Sequence, residues 1–151
     1  MKKEYMYLAG GVATTLIAQR IMNPPITKME ATSFVENWLD VVCKHDPQAI
    51  SSLYASDGVL VGTIAEEILI TRNKIRTYFD MFVTKEPCGE YNTKNVIILH
   101  DVAIVNGTYT FDLLNDEGVS EPVKARYTFV LKRVDGKLRI ATHHSSAQPT
   151  A

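Results

Sequence analysis

From residue 95 to residue 146 the chain is almost wholly strand-forming. The stretches 95–99, 102–113, 123–134 and 138–146 are long and rich in β-branched and aromatic residues. Asn115-Asp116-Glu117-Gly118 and Asp135-Gly136 supply turns between them. Four such strands in succession form an antiparallel sheet, and a sheet of this kind needs something apolar laid across one face.

The cover comes from the preceding part of the chain. Ala31, Phe34, Val35, Trp38 and Val42 recur at helical spacing, which predicts a long amphipathic helix over 28–44. Asp46-Pro47 reads as an N-cap with proline at the first helical position, opening a short helix to residue 54. Asp57-Gly58 turns the chain into a strand over 59–64, and a short extended piece, 68–70, follows. Thr71 caps a third helix whose Ile75, Tyr78, Phe79 and Phe82 share a face, and Glu86-Pro87-Cys88-Gly89 ends it. Early helices and late strands give an α+β fold. A strongly curved sheet wrapped on the long first helix makes a cone, with an interior pocket and an outer sheet face free for self-association.

With 151 residues, 46% of them hydrophobic and 22% charged, the chain has material for one ordinary domain and a true core. A formal net charge of −1 and the absence of a Lys/Arg run disfavour nucleic acid as a partner. Cys43 and Cys88 stand in no metal-type spacing. Cys43 falls in an apolar helical run and reads as a small core residue, so neither cysteine requires an oxidising compartment. Met1-Lys2-Lys3 followed by the apolar residues 6–18 resembles a secretory signal, but Leu16 occupies a position that favours a small residue. Arg20 interrupts the run before it could span a bilayer. The organisation expected is an apolar N-terminal segment over 1–25, a signal or an additional helix, and a folded domain over 26–151. A cytoplasmic location is favoured over export, and nothing firm points to a membrane.

Chemistry concentrates at the end of the last strand, in His143-His144-Ser145-Ser146-Ala147-Gln148-Pro149. Side chains alternate across a strand, so His143 and Ser145 share one face and His144 and Ser146 the other. An imidazole beside a hydroxyl can handle a proton and hold an oxygen anion.

This order of elements resembles the NTF2-like (SnoaL-like) cone superfamily over about 28–149. The stretches Leu53-Tyr54-Ala55-Ser56-Asp57-Gly58-Val59-Leu60, Gly62-Thr63, Ile75-Arg76-Thr77-Tyr78-Phe79, Gly107-Thr108-Tyr109-Thr110-Phe111, Ala125-Arg126-Tyr127-Thr128-Phe129 and the terminal motif resemble one branch of it. That branch holds the iota-class carbonic anhydrases, relatives of the calcium/calmodulin-dependent protein kinase II association domain. The resemblance implies metal-free hydration of carbon dioxide to bicarbonate, with Thr63, Tyr78, His143 and Ser145 as the catalytic set. Thr108, Thr110 and Tyr127 are alternative hydroxyls. It also implies a homo-oligomer, at least a dimer, and no cofactor.

The residues fit that chemistry in part. Neighbouring His143 and His144 point to opposite faces and cannot both hold one ion, and His45 and His100 lie in separate connecting segments, so no metal site is expected. Phe79 and Phe82 could supply an apolar wall, with Arg126 and Tyr127 as further pocket residues; an arginine there would attract bicarbonate. Thr63, Tyr78 and Ser145 could orient a water and bond the developing anion, while His143, titrating near physiological pH, takes the proton. Two other functions remain open. One is a non-catalytic oligomerisation or ligand-binding module like the association domain. The other is a ketosteroid-isomerase-like enzyme, which would need Asp40 or Asp57 inside the cone as its base.

Overall fold

A computed structural model describes residues 14, 15, 18 and 23–149. Most of the N-terminal apolar segment predicted over 1–25 lies outside the described residues, and 14, 15 and 18 are helical. No helix among the described residues is long and apolar enough to cross a membrane.

Helix α1, Lys28–Val42, starts at a capping box. Thr27 Oγ1 accepts from the Glu30 N–H at 3.2 Å, and the Glu30 carboxylate accepts from the Thr27 N–H at 3.0 Å. Ala31, Val35, Trp38, Leu39 and Val42 form its buried stripe. Helix α2, Pro47–Ser52, is capped as expected, with Asp46 Oδ1 accepting from the N–H groups of Gln48 and Ala49. Strands β1 (Tyr54–Val61) and β2 (Leu69–Ile70), helix α3 (Arg72–Phe82) and strands β3 (Cys88–Leu99), β4 (Val102–Leu114), β5 (Ser120–Val134) and β6 (Lys137–Ala147) complete the order.

All six strands form one sheet in the order β2-β1-β6-β5-β4-β3. Its pairs are antiparallel except β1–β6, which is parallel. The concave face closes on α1 and α3. Trp38 meets Phe129 and Phe111 edge-on, at ring-centroid distances of 5.0 and 6.4 Å, and this cluster is the centre of the core. The α+β cone expected from the strand-rich half is therefore the fold.

Four local expectations need correction. Asp57-Gly58 lies within β1 rather than before it. The strand begins at Tyr54 and its register against β6 slips between Tyr54 and Val59, a bulge braced by Arg72, whose Nε and Nη2 both donate to the Tyr54 carbonyl. Thr71 makes no side-chain cap, because its φ of 88° turns the chain there in a conformation unusual for a β-branched residue. Strand β3 begins at Cys88, inside the segment read as a helix stop, because residues 88–94 pair with β4 despite their polarity. Cys43 is not a free core thiol. It is bonded to Cys88, tying the end of α1 to the first residue of β3.

The convex face carries one apolar row. Ile97 pairs with Ile104, and Ile104 with Val130; the adjoining pair is Leu99 and Val102. Ile97 and Leu99 are 47% and 53% exposed, and Ile104, Val130 and Val102 are half-buried.

Candidate functional site

Between the concave face and α3 lies a cavity of about 250 Å³. Its walls are largely apolar and aromatic, from Trp38, Leu60, Phe79, Phe82, Phe111 and Val123, and Lys85, Asn115 and Glu121 stand at its exposed rim. Thr63, Tyr78, His143 and Ser145 all line it, as do the predicted wall residues Phe79 and Phe82. The alternation along β6 places them so: His143 pairs opposite Phe129 and Ser145 opposite Tyr127, both on the inner face, while His144 is exposed on the other.

The polar groups form a connected chain. Ser145 Oγ accepts from the Tyr109 hydroxyl at 2.6 Å and shares a hydrogen bond with Thr63 Oγ1 at 2.7 Å. Tyr109 also stands 3.5 Å from His143 Nε2, and Tyr54 is bonded to His143 Nδ1 at 2.9 Å. Nδ1 is the hydrogen-bond partner of the buried Tyr54 hydroxyl, so hydrogen-bond counting assigns the imidazole proton to Nε2. Trp38 Nε1, also buried, has no hydrogen-bond partner of normal geometry, but its N–H lies near enough to the Tyr54 oxygen to oppose part of the effect of burial there.

Burial governs the electrostatics. His143 is 2% exposed, stacked on Phe129 at 4.0 Å and edge-on to Trp38 at 5.1 Å. Desolvation, with a smaller contribution from the neighbouring His144, pulls its pKa down to about 3. This corrects the expectation of an imidazole titrating near physiological pH: the ring stays neutral there. Burial pushes Tyr78 up to about 12, opposed by the Ile64 backbone, and raises Tyr54 and Tyr109 further. The interior is thus uncharged at neutral pH, a set of hydroxyl and imidazole groups within aromatic walls.

Two pocket expectations fail. Arg126 is exposed, paired with Thr108 and Ser146 on the convex face, with its guanidinium 3.5 Å from the Ala147 carbonyl. Tyr127 faces inward but does not line the cavity; it packs on Tyr109 and Phe129 and donates to the Thr93 carbonyl at 2.8 Å. Thr108 and Thr110 bond to Thr93 and Asn92 across β3, away from the cavity. Tyr109 lines the cavity instead, and Tyr54 stands behind it, bonded to His143. Strand alternation puts Tyr109 on the face opposite Thr108 and Thr110, a signal that was present in the pattern. Asp40 is exposed, and Asp57 is exposed and paired with Lys132; neither lines the cavity. Among the described residues its one lining carboxylate is Glu121 at the rim, held by Asn115 Nδ2 at 2.9 Å. No group of three His, Cys, Asp or Glu side chains able to hold a metal comes together among the described residues.

Residues 27–149 match the family described as the calcium/calmodulin-dependent protein kinase II association domain. The chain belongs to that family. This association domain is similar to a family relative of known structure from Xanthomonas campestris, at 38% identity and a TM-score of 0.77 over 85% of this chain and 93% of that one. It also resembles a protein of the NTF2-like family from Streptomyces avermitilis (16% identity, TM-score 0.70, 80% and 95% covered). A ketosteroid isomerase-like protein from Erwinia carotovora is similar at 18% identity, TM-score 0.67, with 79% and 94% covered. At such identities the last two likenesses show the cone fold of the association domain and nothing finer. No curated protein matches the association domain.

Proposed function

We propose that this association domain is a self-associating module whose cone holds a small molecule. The observation that carries the reading is the apolar row across the convex face, Ile97-Ile104-Val130 with Leu99 and Val102 beside it. Contiguous apolar surface on a sheet face that no other element covers among the described residues favours burial against a second copy. Membership of a family defined by association supports the same conclusion. In light scattering the protein should show a multiple of 16.9 kDa. Ile104→Glu, which sets a charge in the middle of the row, should return it to the monomer mass while leaving the circular dichroism spectrum unchanged. A wild type that runs as a monomer, or an Ile104→Glu variant that keeps the wild-type mass, would remove this reading.

A second reading has its own support. Thr63, Tyr78, His143 and Ser145, the set implied by the likeness to iota-class carbonic anhydrases, converge on one cavity. Metal-free hydration of carbon dioxide would use Thr63 and Ser145 to orient water and bond the forming bicarbonate. The neutral, buried His143 is a weak acceptor for the proton released, and this places the reading second. Stopped-flow hydration in the presence of chelator decides it. The reading expects a rate above buffer that falls at least tenfold in Ser145→Ala; a wild-type trace that overlays buffer ends it.

A further inference from the structure

We propose that the cone binds an uncharged molecule with an apolar body of about ten non-hydrogen atoms and one accepting oxygen, a ketone- or aldehyde-type carbonyl, received by the Thr63–Ser145 hydroxyl pair. The proposal rests on reading the cone as a ligand pocket and specifies what that pocket selects.

Size is the first argument. The cavity of about 250 Å³ has room for about eight waters at ~30 Å³ each, far more than one carbon dioxide requires. Its apolar walls make filling by water alone unfavourable and favour a carbon skeleton.

Hydrogen counting is the second. Ser145 Oγ accepts the Tyr109 hydrogen, and Thr63 and Ser145 share one bond between them. The pair owns two hydroxyl hydrogens, and that shared bond uses one. Whichever of the two donates, the other's hydrogen is left with no acceptor among the described residues, beside the cavity that both residues line. When Thr63 donates, the free hydrogen is that of half-buried Ser145, and a ligand acceptor in the cavity satisfies it; when Ser145 donates, it is that of exposed Thr63, and the ligand acceptor replaces solvent there. Behind the pair, Tyr109 is held in its donating role by the Nε2–H side of His143, so the chain delivers a donor to the cavity rather than a base.

Charge is the third. Among the described residues the charged side chains lining the cavity are Lys85 and Glu121, both at the rim, where Lys85 pairs with Asp116 and Glu121 accepts from Asn115. A carboxylate or an ammonium taken to half-buried Ser145, among apolar walls, would lose part of its hydration with no counter-ion beside it. A neutral carbonyl meets the donor without that cost.

Four probes of one shape separate these terms: acetophenone, ethylbenzene, benzoate and 1-phenylethylamine, titrated into the full-length protein by calorimetry. Acetophenone should bind about fivefold tighter than ethylbenzene, the value of one neutral hydrogen bond. Benzoate and the amine should bind more weakly than ethylbenzene. In Thr63→Val/Ser145→Ala the ketone advantage should vanish while ethylbenzene still binds, and that retained binding reports an intact cone. If the double variant does not fold, Thr63→Val alone, at an exposed position, should lower the ketone-to-hydrocarbon ratio at least twofold. Tightest binding by benzoate, an unchanged ratio in a folded variant, or no binding by any of the four would overturn the proposal. Light scattering on the same samples separates the two claims: self-association with no probe bound removes the ligand assignment alone, and probe binding by a monomer removes the self-association alone.

Discussion

His143 is the residue on which the site's pH behaviour turns. Its folded pKa, about 3, lies below the ordinary histidine value of 6.5, so between those values the unfolded chain binds a proton that the folded chain refuses. Stability is therefore full above pH 6.5 and is lost as the pH falls toward 3, at up to about 1.4 kcal/mol per pH unit from this group. Chemical denaturation at pH 7 and pH 5 should show the loss, and His143→Gln should flatten it; equal slopes in the two proteins would contradict the assignment. Tyr54→Phe would leave Nδ1 without its partner in a dry interior and should cost about 1–3 kcal/mol by urea denaturation. At this scale the sequence was informative where period-2 alternation could be followed. His143 and Ser145 share the inner face because they are two apart on β6. Arg126 shows the limit of residue type alone: arginine in an apolar strand suggested a pocket anchor, but its register places it outside, next to Ser146. The depressed pKa of His143 was not legible, since it depends on Phe129, Trp38 and Tyr54 closing around the ring.

Among the elements, α3 sets the shape of the cavity through close contact with the segment after β1. The Tyr78 ring lies against Gly62, where an added Cβ would come 2.7 Å from Tyr78 Cζ. Gly62→Ala should therefore displace the ring, cost about 1–3 kcal/mol and weaken probe binding in the cone. A melting temperature and probe affinity equal to wild type would show that the contact is not restrictive. The bond between Cys43 and Cys88 closes 45 residues of chain, for which loop entropy gives about 2–4 kcal/mol. Cys43→Ser/Cys88→Ser, or reductant added to wild type, should lower the denaturation free energy by that amount. No change would show that the two thiols are not paired in solution. The helices were readable because their buried stripes repeat at 3.6 residues and their starts carry caps. The pairing of the two cysteines was not readable: it depends on α1 lying along β3, a contact between segments far apart in sequence. The bulge in β1 was hidden for a similar reason, since Asp57-Gly58 has the composition of a turn and is held in the sheet by Arg72, by the Thr71 N–H on the Gly58 carbonyl and by the β6 register.

For the whole molecule, self-association through the convex face ties stability to concentration. Partner binding that requires the folded state raises the melting temperature by mass action. The wild type should melt higher at high protein concentration and Ile104→Glu should not; parallel behaviour of the two would count against the interface. The architecture was legible because helices and strands segregate along the chain, whereas the parallel β1–β6 contact was not, being a join between the two ends of the domain. That join makes β6 the strand on which the continuity of the sheet depends. β6 is made last of the six strands yet sits third in the sheet, the bridge between the β1–β2 ribbon and the β5-β4-β3 meander. Without β6 the helical half would meet the meander chiefly through α1, by its packing on β3 and β4 and the Cys43–Cys88 bond, and the facing edges of β1 and β5 would both lie open. The strand that carries the site's histidine and serine is thus also the keystone of the sheet, and a chain lacking it would offer the edges of β1 and β5 to strands of other molecules.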